Sequence, residues 1–440
     1  MIKIAFMGAG STIFVRNIIG DSFCTNVLKD AEIALYDIDG VRLEESRIIL
    51  SAMNNTLNDG RARIRTYLGE KNRQEALRGA DFVVNAIQVG GYIPGTSTDF
   101  EIPEKYGLRQ TIADTLGIGG IMRGLRTIPV LQAFAEDMES VCPHALFLNY
   151  TNPMAILTGF MQRYTNIRTI GLCHSVQVCS KKLLTALGME DKLEGRKEKI
   201  AGINHMAWLL EIYDKEGKDL YPEIRLRAAE KNATEKHGDM VRYEYIRRLG
   251  YYCTESSEHN AEYNPWFIKS RYPQLIDQYN IPLNEYIRRC QRQIKDWGRE
   301  KADIIKNGMA THERSREYAT HIMEAVLTGR PYVFGGNVLN TGLIDNLPAD
   351  ACVEVSCIAD GTGIHPVHVG RLPEQLAALN ITNINPQLLT IKAAVTRKRE
   401  DIYMAAMLDP HTAAELSIDD IVSMCDELID AHGDFLSIYQ

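Results

Sequence analysis

Ile2-Lys3-Ile4-Ala5-Phe6-Met7 reads as a buried β-strand. Gly8-Ala9-Gly10-Ser11-Thr12 is the turn that ends it, and an amphipathic helix begins near Ile13. Glycines at such a junction let backbone N–H groups approach a pyrophosphate, which then sits at the helix N-terminus. The third glycine of a G-x-G-x-x-G fingerprint is replaced by Ile13, so this half-fingerprint is weak on its own. The next strand, Glu32-Ile33-Ala34-Leu35-Tyr36-Asp37, strengthens it. It ends in a carboxylate where a dinucleotide fold needs an acceptor for the adenosine ribose hydroxyls. Asp37 favours NAD over NADP, whose 2′-phosphate it would repel. The competing reading of Asp37 is an Asx turn or helix cap, for which Asp39 is equally placed.

Outward from this unit the pattern repeats. A helix from 40 to about 55 and a short strand near 63–67 lead, through an Ala-Leu helix, to a buried strand over 81–87. The exit of that strand, Gln88-Val89-Gly90-Gly91-Tyr92, is glycine-rich and faces the same crevice. The alternation predicts an α/β fold: a Rossmann-type, mostly parallel sheet like that of lactate and malate dehydrogenases, packed with a mixed α+β C-terminal region. The expected division is 1–195 for nucleotide binding and 196–440 for substrate and metal, intimately packed.

Composition bounds the function. At 440 residues, with 45% hydrophobic and 24% charged residues, the chain has the profile of a globular protein with two packed domains. No apolar run approaches the roughly eighteen residues of a membrane span. The N-terminus enters a strand without a charged leader or cleavage site, so the expected location is the cytoplasm. Nine scattered cysteines without C-x-x-C pairs indicate reduced thiols. A net charge of -8 and no basic stripe argue against nucleic acid and favour a small substrate.

Further along, Asp114-Thr115-Leu116-Gly117-Ile118-Gly119-Gly120 feeds a helix over 121–138, in which Pro129 is expected to introduce a kink. Backbone N–H groups near Gly119 could hold a hydroxyl or oxyanion, or the glycines could simply make the loop flexible. A strand at 145–148 ends in Asn149-Tyr150-Thr151-Asn152-Pro153. Pro153 fits the first turn of a helix, and Asn152 could cap that helix, offer its amide to substrate hydroxyls, or both. Gly171-Leu172-Cys173-His174-Ser175 then places a thiol and an imidazole side by side at a strand's carboxyl end. Asn204-His205-Met206 interrupts a strand pair at 199–204 and 206–214. If the fold joins Cys173 to His205, the pair is half a site for a borderline divalent ion, with positions left open for substrate oxygens. If it does not, Cys173 is an ordinary buried thiol.

Residues 220–330 read as mostly helical, with helices at 238–250, 283–307 and 315–328 and a polar loop at 252–263. Strands at 331–335 and 352–358 and helices at 372–407 and 417–432 follow.

Taken in order, Gly8-Ala9-Gly10-Ser11-Thr12, Asn149-Tyr150-Thr151-Asn152-Pro153, Cys173-His174-Ser175 and Gly202-Ile203-Asn204-His205-Met206 resemble the NAD- and manganese-dependent family 4 glycoside hydrolases. Ser256-Ser257-Glu258-His259 and Asp345-Asn346-Leu347-Pro348 are similar to the α-galactosidase branch of that family. The resemblance implies an exception to two-carboxylate glycosidases. NAD oxidises the sugar at C3, a base removes the acidified C2 proton, the aglycone is eliminated, water adds, and C3 is reduced again.

Carried over residue by residue, Gly8, Gly10, Ser11, Thr12, Asp37, Asn85 and Gln88 bind NAD. Cys173 and His205 hold Mn2+, although their chemistry admits other divalent ions. Asn152, Gly119 and His174 meet the sugar. Tyr263 is the C2 base, a nearby cation lowering its pKa, and its competing role is aromatic packing. His174 is general acid or hydroxyl contact. Phosphoglycoside-cleaving relatives carry an arginine where Gln88 stands. An amide cannot pair bidentately with a 6-phosphate, so an unphosphorylated α-galactoside such as melibiose is the implied substrate. The resemblance also implies a homo-oligomer, dimer or tetramer, while charge and hydropathy predict no nucleic-acid or membrane partner. Alternatives are an α-glucosidase or α-glucuronidase of the same family, an NAD-dependent 2-hydroxyacid dehydrogenase, or a non-enzymatic NAD sensor.

Overall fold

The structure is a computed structural model that describes residues 1–307 and 312–439, apart from the side chains of Thr12 and of residues 299–307. The first half alternates strand and helix: β1 (Lys3–Met7), α1 (Thr12–Phe23), β2 (Glu32–Asp37), α2 (Gly40–Asn58), β3 (Arg63–Leu68), α3 (Arg73–Leu77), β4 (Phe82–Asn85), α4 (Ser97–Lys105), α5 (Gly117–Val141), β5 (Leu146–Asn149), α6 (Met154–Tyr164), β6 (Thr169–Gly171) and α7 (His174–Ala186). A hairpin follows, β7 (Lys197–Ile203) and β8 (Met206–Tyr213). Helices α8 (Tyr221–Thr234) and α9 (Met240–Leu249) lead to β9 (Tyr252–Cys253), then α10 (Ser257–Glu262), α11 (Gln274–Gln278), α12 (Glu285–Asn307) and α13 (Ala319–Thr328). The chain closes with β10 (Tyr332–Leu339), β11 (Cys352–Asp360), β12 (Gly363–Pro366), α14 (Glu374–Thr396), α15 (Arg399–Leu408), α16 (Pro410–Glu415) and α17 (Ile418–His432).

All the strands join one 12-stranded sheet in the order β3-β2-β1-β4-β5-β6-β10-β11-β7-β8-β9, with β12 on β11. From β3 to β6 every pairing is parallel, in the order of a dinucleotide-binding sheet. From β10 onward the pairings are antiparallel. The period-2 pattern of β1 explains its central place. Ile4 and Phe6 enter one core with α1 and α2, whereas Ala5 and Met7 enter the other with α5, α6 and α17. Among the described residues no helix is long and apolar enough to cross a membrane.

The two halves of the sheet meet at a narrow seam. β6 pairs with β10 through Gly171 and Asn337, and the Asn337 amide donates to the Gly171 carbonyl at 3.3 Å. A Cβ on Gly171 would lie 2.6 Å from both Met154 Sδ and Thr158 Oγ1. Glycine there is therefore a packing requirement.

Local expectations differ from the structure in four places. Residues 252–263 are not a loop but β9 and the short helix α10. Helix α5 begins at Gly117, four residues earlier than expected, and keeps Pro129 in its interior. The segment 372–407 is two helices, α14 ending where Arg397 turns left-handed at φ 60°. Pro153 itself occupies the N-cap of α6, so Asn152 does not cap that helix and its amide is free for the neighbouring carboxylate described below.

Candidate active site

The site lies along the carboxyl ends of the parallel strands, where open α/β sheets place their ligands. At one end is the glycine turn after β1. Gly8 has φ +86°, and a Cβ on it would stand 2.8 Å from the Ala86 carbonyl oxygen at the exit of β4. The backbone N–H groups of Gly8 and Ala9 donate to the Tyr36 carbonyl. Asp37 Oδ2 accepts from Gly10 N at 2.6 Å and Oδ1 from Asp39 N at 2.9 Å, so the Asx turn is real and also braces the glycine turn. Asp39 caps α2 through Val41 and Arg42. Ser11, the N-cap of α1, makes no side-chain capping bond, and the first amides of this 12-residue helix, which have no carbonyl partner within it, are the groups an anion site uses. The side chain of Thr12 lies outside the described residues.

Two further nucleotide candidates are partly committed elsewhere. Asn85 is fully buried, and its amide donates to Asn149 Oδ1 at 2.9 Å and Thr151 Oγ1 at 3.1 Å, while its Oδ1 has no partner. Gln88 donates to Thr96 Oγ1 at 3.3 Å.

Cys173 stands just before α7, its carbonyl accepting from Tyr318 OH at 2.9 Å and its sulfur 3.2 Å from Ser175 Oγ. Burial, with the Glu354 and Glu255 carboxylates adding to it, pushes this thiol's pKa well up. A thiolate at this position calls for a cation in contact with it.

His205 is at the tip of the β7–β8 hairpin, between the paired residues Ile203 and Met206. Reversing the chain in so few residues holds His205 in the left-handed region at φ 64°, and Glu255 is held there at φ 63°. Two non-glycine residues at positive φ in one site carry strain of roughly 1–3 kcal/mol each. One ligand atom from each of Cys173, His205 and Glu255 lies within 4.8 Å of the other two. Glu255 Oε2 is 3.5 Å from His205 Nε2. Burial works to raise the Glu255 pKa, but the His259 and His205 imidazoles outweigh it and hold the group at about 2. Sulfur, nitrogen and oxygen donors converging on one point fit a divalent ion.

Around this trio lies a ring of polar groups. Tyr263 is fully buried, with its hydroxyl 3.1 Å from His205 Nδ1. Burial first, then the Asp114 carboxylate, pushes the Tyr263 pKa far above that of a free phenol. The His259 and His205 rings are 5.0 Å apart, and His259 Nδ1 is 2.7 Å from Ser256 Oγ. Asp114 accepts from the Asn152 amide at 3.3 Å and from Thr115 Oγ1 at 2.7 Å, with Arg123 3.9 Å away. Its burial is outweighed by Arg123 and His259, so its pKa stays below the ordinary value. Asn152 and Asp114 together present a donor and an acceptor, the pairing a sugar hydroxyl needs.

Glu262 ties this ring together by accepting from the backbone N–H of Thr111, Ile112 and Ala113. Burial exceeds those contacts and puts its pKa at about 7. Gly119 is explained by packing, since a Cβ there would lie 2.4 Å from the Ala113 carbonyl oxygen. His174, adjacent to Cys173, has Nε2 2.7 Å from the buried carboxylate of Glu317. The rings of Phe14, Tyr150 and Tyr318 pack around it at 6.0–6.5 Å.

The fold therefore brings Cys173, His205 and Tyr263 into one cluster, with Asn152 joined to it through Asp114. Glu255, His259, Asp114 and Glu317 were not singled out as site residues from sequence. The spacing of four between His259 and Tyr263 is the signal that could have found His259, because it puts the two on one face of a helical turn; Glu255, held at positive φ before α10, carries no such signal.

Comparison with known proteins gives three findings. Residues 3–189 match the model described as family 4 glycosyl hydrolase, and residues 200–412 match that of the family 4 glycosyl hydrolase C-terminal domain. The chain is 62% identical over 440 residues to an α-galactosidase of Bacillus subtilis (strain 168), covering 100% of each, and 33% identical over 448 residues to an α-galactosidase of Rhizobium meliloti (strain 1021), covering 99% of this chain and 89% of that one. Among solved structures, a 6-phospho-α-glucosidase from gut microorganisms in complex with NAD and Mn2+ has the same fold, with a TM-score of 0.79 at 20% identity over 99% of this chain and 98% of that one.

Proposed function

The chain belongs to family 4 of the glycosyl hydrolases, and from that membership we propose that it is an α-galactosidase that works with NAD and a divalent ion, Mn2+ by the family's habit. It is a glycoside hydrolase, and its substrate is a small-molecule glycoside. The observation that carries the finer reading is the placement, on one edge of one sheet, of a nucleotide turn and a sulfur–nitrogen–oxygen pocket. The names of the Bacillus subtilis and Rhizobium meliloti relatives support the choice of sugar.

When bound, the nucleotide supplies a reversible two-electron oxidation at the sugar's C3 and the ion a Lewis acid for the adjoining oxygens. Asp37 and the first amides of α1 hold the nucleotide, with Gly8 and Gly10 letting the backbone come close. Cys173 and His205 hold the ion. Asn152 and Asp114 bind ring hydroxyls and fix the sugar's orientation. Tyr263 Oη takes the C2 proton, and a proton on His205 Nδ1, 3.1 Å away, donates to the phenolate that does so. The burial that raises the Tyr263 pKa is offset once a cation enters the pocket. His174, braced by Glu317, faces the leaving group or a sugar hydroxyl. Gln88, exposed and neutral, offers no charge for a 6-phosphate, which favours an unphosphorylated galactoside.

Hydrolysis of p-nitrophenyl α- and β-galactosides and α- and β-glucosides, with and without NAD+, Mn2+ and reductant, tests this. The expected result is cleavage of the α-galactoside alone, dependent on both cofactors, with no net NADH and with solvent deuterium at C2 of the product. Net NADH formation in step with turnover would replace the reading with a dehydrogenase. Cleavage of the glucoside in preference to the galactoside would reassign the sugar.

A further inference from the structure

We propose that Glu255 is a third protein ligand of the divalent ion, making the set thiolate, imidazole and carboxylate. This rests on the reading above that Cys173 and His205 hold that ion.

Geometry comes first. A ligand atom of Glu255 lies within 4.8 Å of those of both Cys173 and His205, a spread that one cation with bonds of about 2.0–2.4 Å can span. The backbone points the same way. Glu255 and His205 are both held at positive φ, 63° and 64°, in a region that non-glycine residues avoid. Strain of this kind persists where the surroundings over-determine a position, and here it turns two side chains towards the same point. The partners of the carboxylate add a third argument. Among the described residues its ion-pair partners are the imidazoles His205, at 3.5 Å, and His259, at 3.7 Å, with no lysine or arginine at that range. The charged side chains Arg242 and Lys182 act on it only from beyond ion-pair distance, which leaves direct contact with the carboxylate to the two imidazoles or to a metal ion.

The chemistry explains a preference that two ligands leave open. A thiolate and an imidazole alone favour softer, later metals, and Mn2+ stands low in the affinity order. A carboxylate oxygen hardens the set and moves it towards Mn2+. It also balances charge, since one thiolate and one carboxylate neutralise a divalent ion, leaving the remaining coordination positions for neutral sugar oxygens and water.

The test measures metal binding on the full chain with NAD+ present and no sugar, by electron paramagnetic resonance of free Mn2+. Glu255→Gln is expected to raise the Mn2+ Kd at least tenfold while NAD+ affinity holds. It should also lower the preference for Mn2+ over Zn2+. Glu255→Asp, which keeps the carboxylate, is expected to fall between the two and covers the case in which the glutamine variant does not fold. A Kd within twofold of wild type in both variants overturns the proposal. That outcome, joined to loss of C2 deuterium exchange, would make Glu255 a proton-transfer residue instead. Cys173→Ser separates the two levels. If it too leaves Mn2+ binding unchanged, the underlying metal reading fails; if it abolishes binding while the Glu255 variants do not affect it, only the third ligand fails.

Discussion

Tyr263 concentrates the chemistry of the site in one atom. Its hydroxyl is fully buried and contacts His205 Nδ1. Tyr263→Phe keeps the packed ring and removes that oxygen alone. The expected result is a loss of at least about 10²-fold in kcat, in line with removal of a general base, and no deuterium at C2 when turnover is run in D2O. Mn2+ affinity should stay within a few-fold, because the phenol contacts the His205 imidazole and is no part of the proposed thiolate, imidazole and carboxylate set. A Tyr263→Phe enzyme that still exchanges C2 with solvent would remove the tyrosine from the base's role. At this scale Cys173 and His205 were only half a site on pattern alone, their reading as a pair came from the family resemblance, and the fold does bring them together. Glu255 was not legible, since its neighbours are also polar and nothing local marks which one turns inward. Asn152 was half-legible. Its amide does face the site, but the capping role passed to Pro153.

Among the elements, the segment from His312 to Tyr318 does most to set the site's shape. At one end Asp21 of α1, fully buried, accepts from His312 Nε2 at 2.7 Å and from Ser315 N and Oγ at 2.9 and 2.5 Å. At the other, Glu317 and Tyr318 hold His174 and the Cys173 carbonyl. Helix α1 and the turn that carries Cys173 are thereby braced by the same few residues. Burial works to raise the Asp21 pKa, but the His312 and Ser315 hydrogen bonds outweigh it and leave the group below its ordinary value of 3.8. A carboxylate depressed in the folded state contributes stability that is full above its unfolded pKa and is lost as pH falls through the folded one. Asp21→Asn should therefore melt below wild type at pH 7, by a stability difference of about 2 kcal/mol. The gap should close as pH falls from about 5 towards 3. Calorimetric melts across that range check it, and a gap that widens on acidification would contradict the assignment. Elements of the parallel half were readable because buried strands and glycine turns keep a strict rhythm. Helix α10 was not, because it is only six residues long and most of its positions serve the site or the Thr111 to Ala113 tether instead of displaying an apolar stripe.

Across the whole molecule, the candidate ligand cluster draws on three separate parts of the sheet: the turn after β6, the β7–β8 hairpin tip and the turn after β9. A cation that joins them binds the folded chain far better than the unfolded one, so its binding free energy adds to folding. The melting temperature in the presence of NAD+ should rise with Mn2+ and keep rising logarithmically above saturation, with about 2.7 kcal/mol gained at one hundred times the Kd. Differential scanning calorimetry over a Mn2+ series checks this, and Cys173→Ser should flatten the series. The parallel half of this sheet was legible from sequence, whereas its strand order beyond β6 was not. Which distant strand covers an open edge depends on long-range pairings such as the single Gly171–Asn337 register, and periodicity carries no information about them.

That order has a consequence for how the protein is made. β10 and β11, which end at Asp360, lie between the strand that leads to Cys173 and the hairpin that carries His205. The core on one face of β1 needs α17, and the spacing of Cys173 from His205 needs β10 and β11, so neither end of the site is set until the C-terminal elements have been delivered. On the proposed reading that Cys173 and His205 hold the ion, metal loading follows the arrival of β11, and a chain truncated before that strand is expected to bind no Mn2+.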